Sequence, residues 1–149
     1  MDTSTPRYAG PRKLAESLSA FARTTTADAR WDREGLRADS EYRDLGLAAA
    51  TNGRIGAKHI RALKPMIAPT GWHWHDMTAH YVFVLRGSLT FRFAGIGGDV
   101  TLREGDGLSQ PAGVAHNVIT RSDDLEVLEI NEPADYGTWE LTEPPEPWR

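Results

Sequence analysis

Three of the chain's five histidines, His73, His75 and His80, fall within the stretch Thr70–Gly87, TGWHWHDMTAHYVFVLRG. Imidazole is the commonest metal-ligating side chain and the one that most readily exchanges a proton near neutral pH. On a strand, alternation puts His73 and His75 on one face, about 7 Å apart along the chain, with Trp72 and Trp74 on the other. His80 opens the next apolar run and shares a face with Val82 and Val84, opposite Tyr81, Phe83 and Leu85. Both faces of that run are apolar, so the expectation is a strand buried on both sides, where a histidine at its entrance needs a polar partner. An H-x-H pair alone decorates strands more often than it binds metal. The added weight comes from His116, thirty-six residues after His80, where a Pro-Ala-Gly turn in EGDGLSQPAGVAHNVIT feeds a new strand.

This spacing resembles the cupin superfamily, whose first motif runs H-x-H, three or four residues, Glu, six residues, Gly. Here His73-x-His75 is followed by four residues, then His80 where the family has glutamate, then six residues and Gly87. The second motif is matched by Gly105, Pro111, Gly113 and His116, with Thr120 where asparagine is usual. The resemblance spans Gly71 to Thr120, and the short intermotif segment is similar to that of compact single-domain members. It implies an all-β fold, an antiparallel jelly-roll β-barrel with metal ligands inside its mouth, and a homodimer.

With no cysteine in the chain, a metal must sit on nitrogen and oxygen. Imidazole donors suit iron, nickel, copper, zinc, cobalt or manganese, with iron or nickel favoured, over magnesium or calcium. If His73, His75, His80 and His116 all ligate, four neutral donors leave the ion's charge uncompensated and favour an anionic or chelating ligand. Alternatively His80 stays unbound as a catalytic acid or base beside a three-histidine face. Around this set, His59 and Arg61 share a face of AKHIRALK; a solvated strand face is the first reading, and a pocket wall with Arg61 facing an anionic substrate is the second. Gln110, and Thr120 on the face of His116 and Val118, are candidates to orient a ligand histidine.

The elements that must position these residues follow from texture. Leu14, Leu18, Phe21 and Ala22 recur at helical spacing, which predicts a short amphipathic N-terminal helix over 11–23. The next segment is aperiodic and reads as a surface connection pinned by Trp31. From Glu41 the chain becomes short β-like pieces separated by turns such as Asn52-Gly53 and 111–113, the pattern of a sandwich or barrel. The expected organisation is an N-terminal helix and arm over 1–40, a barrel over 41–132, and a C-terminal extension over 133–149, its end irregular, packing on the barrel or a partner. Trp72 and Trp74, pointing outward, need cover from the N-terminal helix, from Tyr136, Trp139 or Trp148, or from another subunit.

Seventeen basic and twenty-one acidic residues give a net charge of −4 with no block of either sign, which argues against nucleic acid as partner. The apolar runs are too short to cross a bilayer, and a cytoplasmic protein is expected. Together these features predict a metal-dependent enzyme acting on a small oxygen-rich or anionic metabolite, dioxygenase-like first and isomerase or lyase next. The alternative is a non-catalytic small-molecule-binding or sensor domain.

Overall fold

The computed structural model describes residues 10–143, and Trp148 and the chain from position 144 onward lie outside them. Among the described residues, ten strands form two five-stranded antiparallel sheets. The first sheet has the order β1 (Ser40–Asp44), β2 (Gly56–Ala62), β9 (Glu126–Glu132), β4 (Ala79–Arg86), β7 (Gly107–Gln110). The second runs β10 (Thr138–Leu141), β3 (Trp72–His75), β8 (His116–Arg121), β5 (Ser88–Phe93), β6 (Val100–Arg103). This is the all-β jelly-roll-type barrel that the sequence predicts.

Alternation builds the interior. On β4, His80, Val82 and Val84 are buried, whereas Tyr81 and Leu85 on the opposite face are 38% and 43% exposed. The strand is therefore buried on one face, not two, because among the described residues no second layer covers the outside of its sheet. Val82, Val84, Leu125 and Val127 meet Leu89, Phe91, Phe93 and Leu102 in one cluster. Each fully buried side chain of this size contributes about 1.5–3 kcal/mol. The cluster fills one part of the barrel and leaves the part beyond Val82 and Phe91 to polar residues.

The N-terminal helix is not formed. The only helical turn over 11–23 is a 3-10 turn at Leu14–Glu16, whose N-terminal end has no side-chain cap, and Leu14 and Phe21 are 79% and 87% exposed. A segment this short is marginal as a helix in water unless its apolar face is packed, and this face is not. The β-like texture expected from Glu41 to the Asn52-Gly53 turn is interrupted: β1 ends at Asp44 and a single helical turn, α1 (Leu47–Ala50), precedes that turn. At the other end Glu140 and Leu141 belong to β10, which pairs with β3 along four residues, so the irregular segment begins later than the prolines suggest. Trp139 of β10 stacks on Trp74 with ring centroids 4.5 Å apart. The chain itself thus supplies cover for that tryptophan.

Two glycines test the packing of the turns. Gly87, between β4 and β5, has φ +79°, and a Cβ there would collide with Ser122 Oγ and approach Leu125 Cα to 3.1 Å. Gly105 has φ +88° but open space around it. Gly105→Ala should therefore cost the ~1–2 kcal/mol of a left-handed non-glycine residue, and Gly87→Ala clearly more. Denaturant unfolding of the two variants checks the difference, and equal losses would refute the close packing at Gly87.

Candidate metal centre

The strands place four histidines on the interior face, all buried. His73 and His75 lie on β3, His116 opposite His73 at the start of β8, and His80 on β4 of the other sheet. Ligand atoms of His73, His75 and His116 lie within 4.8 Å of one another, the spacing a single ion can bridge. His80 falls outside this group; its ring centroid is 5.5 Å from that of His75 and 6.1 Å from that of His116. The group is thus three imidazoles with a fourth beside them.

Each of the three rings is oriented by its Nδ1. His73 Nδ1 donates to Gly71 O at 2.9 Å, His116 Nδ1 to Val114 O at 2.9 Å, and His75 Nδ1 is 2.8 Å from Thr138 Oγ1 on β10. A proton held on Nδ1 leaves the Nε2 lone pair free, the tautomer a metal ligand requires. The start of β3 is fixed in turn by Asn117, whose Oδ1 accepts from Gly71 N at 3.1 Å. Burial, and then neighbouring charge or imidazole, pushes His73 and His75 down to about 4; burial likewise brings His116 to about 4 despite its carbonyl acceptor. All three are therefore neutral, metal-competent donors at neutral pH.

The opposite wall is acidic. His80 Nε2 lies 3.3 Å from Glu129 Oε2 and 3.2 Å from Gln110 Nε2, so one ring nitrogen faces both a carboxylate and an amide donor. It cannot donate to the first and accept from the second at once, so this nitrogen faces two competing partners. Burial raises the Glu129 carboxyl, but its hydrogen bond to His80 and the attraction of His80, Lys58 and His75 outweigh this and leave it below the usual range. Tyr136 has its ring centroid 5.3 Å from that of His75, and burial and then the Glu129 charge raise its pKa. These groups surround a cavity of about 140 Å³.

The remaining candidates are distributed differently. Gln110 reaches His80, as a residue orienting that ring would. His59 and Arg61 lie on the outer face of β2: His59 is 2.9 Å from Glu126 Oε1, Arg61 pairs with Glu41, and both pack on Trp31. Ile60, from the alternate phase, lines the cavity. Thr120 is exposed because a bulge between β5 and β8 pairs Thr90 with Thr120 but Phe91 with Val118. The extra residue, Ile119, shifts the alternation so that Arg121, not Thr120, faces inward. Glu129 and Arg37 were not singled out from sequence. Val127, Glu129 and Asn131 form the inward phase of β9, and an acid in a core phase was the available signal; Arg37 lies in an aperiodic loop and offers none.

The sequence profile described as Cupin domain matches residues 63–131. Solved structures with the same fold include the polyketide cyclase RemF from Streptomyces resistomycificus, at TM-score 0.64 and 18% identity over 86% of this chain and 90% of that one. KdgF from Halomonas sp. superposes at TM-score 0.59 with 15% identity, covering 75% of this chain and 94% of that one. A sugar phosphate isomerase of the cupin superfamily from Silicibacter pomeroyi does so at 0.54 with 21% identity, covering 70% and 67%. No curated protein matches the sequence. Residues 63–131 thus match the cupin domain, and the chain shares its fold with proteins of the cupin superfamily. No described helix is long and apolar enough to cross a membrane.

The three neutral imidazoles carry a pH signature. With pKa values lowered from 6.5 to about 4, they bind fewer protons folded than unfolded across that window. Unfolding free energy therefore rises with pH there, and stability is lost as pH falls from 6.5 towards 4. Denaturant titrations of metal-stripped protein should show this loss, and replacing His116 by Gln should shrink it.

Proposed function

We propose that the protein is a metal-dependent cupin enzyme acting on a small oxygen-rich or anionic metabolite, dioxygenase-like first and isomerase or lyase next. The observation that carries this reading is the convergence of three Nε2-presenting imidazoles within 4.8 Å. The donor set fits a divalent transition ion, iron or nickel before zinc, copper, cobalt or manganese. His73, His75 and His116 would hold it, and Thr138 would keep the His75 ring in register. When bound, such an ion supplies Lewis acidity and, if redox-active, electron transfer with dioxygen.

The chain's own residues then divide the remaining work. Three protein ligands leave positions for substrate, as catalytic sites require. His80 is the catalytic acid or base, its proton controlled by Glu129 and Gln110, and the nearby Glu129 charge offsets part of the ion's charge without occupying a ligand position. Val82, Leu89, Phe91, Leu125 and Val127 of the core cluster form the apolar inner end of the cavity.

Element-resolved analysis of anaerobically purified protein should find close to one transition-metal ion per chain. His75→Ala and His116→Ala should abolish it, and Thr138→Val should weaken retention by about 10–100-fold. Wild-type protein without stoichiometric metal, its stability unchanged by chelators, would sink the proposal. His80→Ala should retain the metal while losing about 10²–10⁴-fold in turnover, read as dioxygen uptake or substrate loss in a metabolite screen. Loss of metal in that variant would instead make His80 a ligand. Saturable binding of a screened metabolite with no turnover would support a sensor.

A further inference from the structure

The loop between the N-terminal arm and β1 places one cation directly on the histidine group. Arg37 Nη2 lies 3.3 Å from both Nδ1 and Nε2 of His73. Since His73 Nδ1 donates to Gly71 O, the sole acceptor on that ring is the Nε2 lone pair. This is the same lone pair that an ion would take. Among the described residues no carboxylate pairs with Arg37. The other guanidinium lining the cavity, that of Arg121, is engaged by Asp39 at 3.0 Å and by Lys64 O at 2.8 Å. Arg61, the cation suggested by sequence, lies outside on Glu41.

The backbone around Arg37 is held in place. Its N–H donates to Tyr42 Oη at 2.9 Å, and Asp32 exchanges backbone hydrogen bonds with Tyr42 at 2.8 and 2.9 Å. Gly35 lies so close to the Tyr42 ring that any side chain there would collide with it. On the far side Asp39 O accepts from Leu63 N at 2.8 Å. The guanidinium is thus carried by a braced loop at the cavity, with five donors and no acceptor of its own.

We propose that Arg37 is the specificity residue of this site and that its ligand is a small carboxylate, one oxygen directed to the three-histidine group and the other to the guanidinium. The assignment rests on the metal reading above. Once Nε2 of His73 is taken by an ion, Arg37 loses its acceptor there, and a half-buried charged donor without an acceptor is costly. A carboxylate removes that cost, because its second oxygen accepts a charge-assisted hydrogen bond from the guanidinium that a neutral amide oxygen makes more weakly. Glu129, on the opposite wall, disfavours a second negative charge on that side and so orients the carboxylate towards Arg37.

Calorimetric titration of malonate, and of neutral malonamide, into anaerobically purified wild type, R37Q and R37K tests this, with metal content measured on the same preparations. Malonate should bind wild type and malonamide at least tenfold more weakly. R37Q should lose at least tenfold in malonate affinity with metal content and unfolding midpoint unchanged, and R37K should fall between. Equal malonate affinity in wild type and R37Q, equal binding of malonamide, or no binding of malonate by wild type would overturn the assignment. Wild type that purifies without metal and still binds malonate, with the affinity lost in R37Q, would refute the metal reading and its contact to the carboxylate, and would support Arg37 alone as the carboxylate's partner. If R37Q fails to fold, R37K carries the comparison: an affinity equal to that of wild type overturns it, a loss supports it.

Discussion

The site depends on one backbone pairing, His73 of β3 opposite His116 of β8. Residues directly opposite on antiparallel strands project side chains to the same face, and here the two imidazoles meet with centroids 4.4 Å apart. A slip of one residue would turn either ring to the outside of the barrel. Little in β3 itself prevents such a slip, since this is its only paired position with β8 and the strand is four residues long. The register is imposed from both sides. Phe93 of β5 pairs with His116 while its ring packs in the core, and β10 pairs with β3 through Thr138 opposite His75. Core packing and the C-terminal strand therefore set the ligand geometry.

The second constraint is charge. Three buried imidazoles can share a small volume only if they are neutral, and burial supplies that condition without further design. Glu129 and Arg37 then give the cavity opposite signs on its two sides. The carboxylate belongs to the first sheet, beside His80, and the guanidinium reaches His73 of the second sheet from the loop before β1. A cation held by the imidazoles would lie between them, and an anion joining it would meet attraction on one side and repulsion on the other.

Much of this was legible in sequence where local periodicity and long-range packing agree. His73, Val82 and Val84 fall on the predicted interior face because β3 and β4 are regular, and His116 is placed by the turn before it. Thr120 was misassigned because a bulge is a tertiary accommodation between two strands that neither strand reveals alone. His59 and Arg61 fit the solvated strand face that charge favours over a pocket wall, and Ile60 in the alternate phase carries the apolar character an interior face demands. The segment 11–23 shows helical spacing but finds no surface to bury it against, so periodicity without a partner produced a false helix. Arg37 was invisible for a different reason: its position follows from Tyr42 and Asp39, contacts made by a loop with no period of its own.

Position 80 shows how one residue redistributes the chemistry of the fold. Where the family's first motif has glutamate, this chain has a histidine flanked across the sheet by Gln110 on one side and Asn131 on the other. The nearest acid is Glu129, on the neighbouring strand and opposite Val82, so negative charge remains in the pocket but stands one hydrogen bond behind the imidazole. A carboxylate that ligates an ion offsets its charge and fills a coordination position together. A carboxylate that acts through His80 separates the two effects, offsetting charge across the cavity while the position stays open. An ion held only by neutral nitrogens keeps more of its Lewis acidity and draws an anionic oxygen more strongly. In the proposed site Arg37 would meet the second oxygen of such a carboxylate, so a histidine at position 80 and a guanidinium with no carboxylate partner among the described residues would favour the same class of ligand.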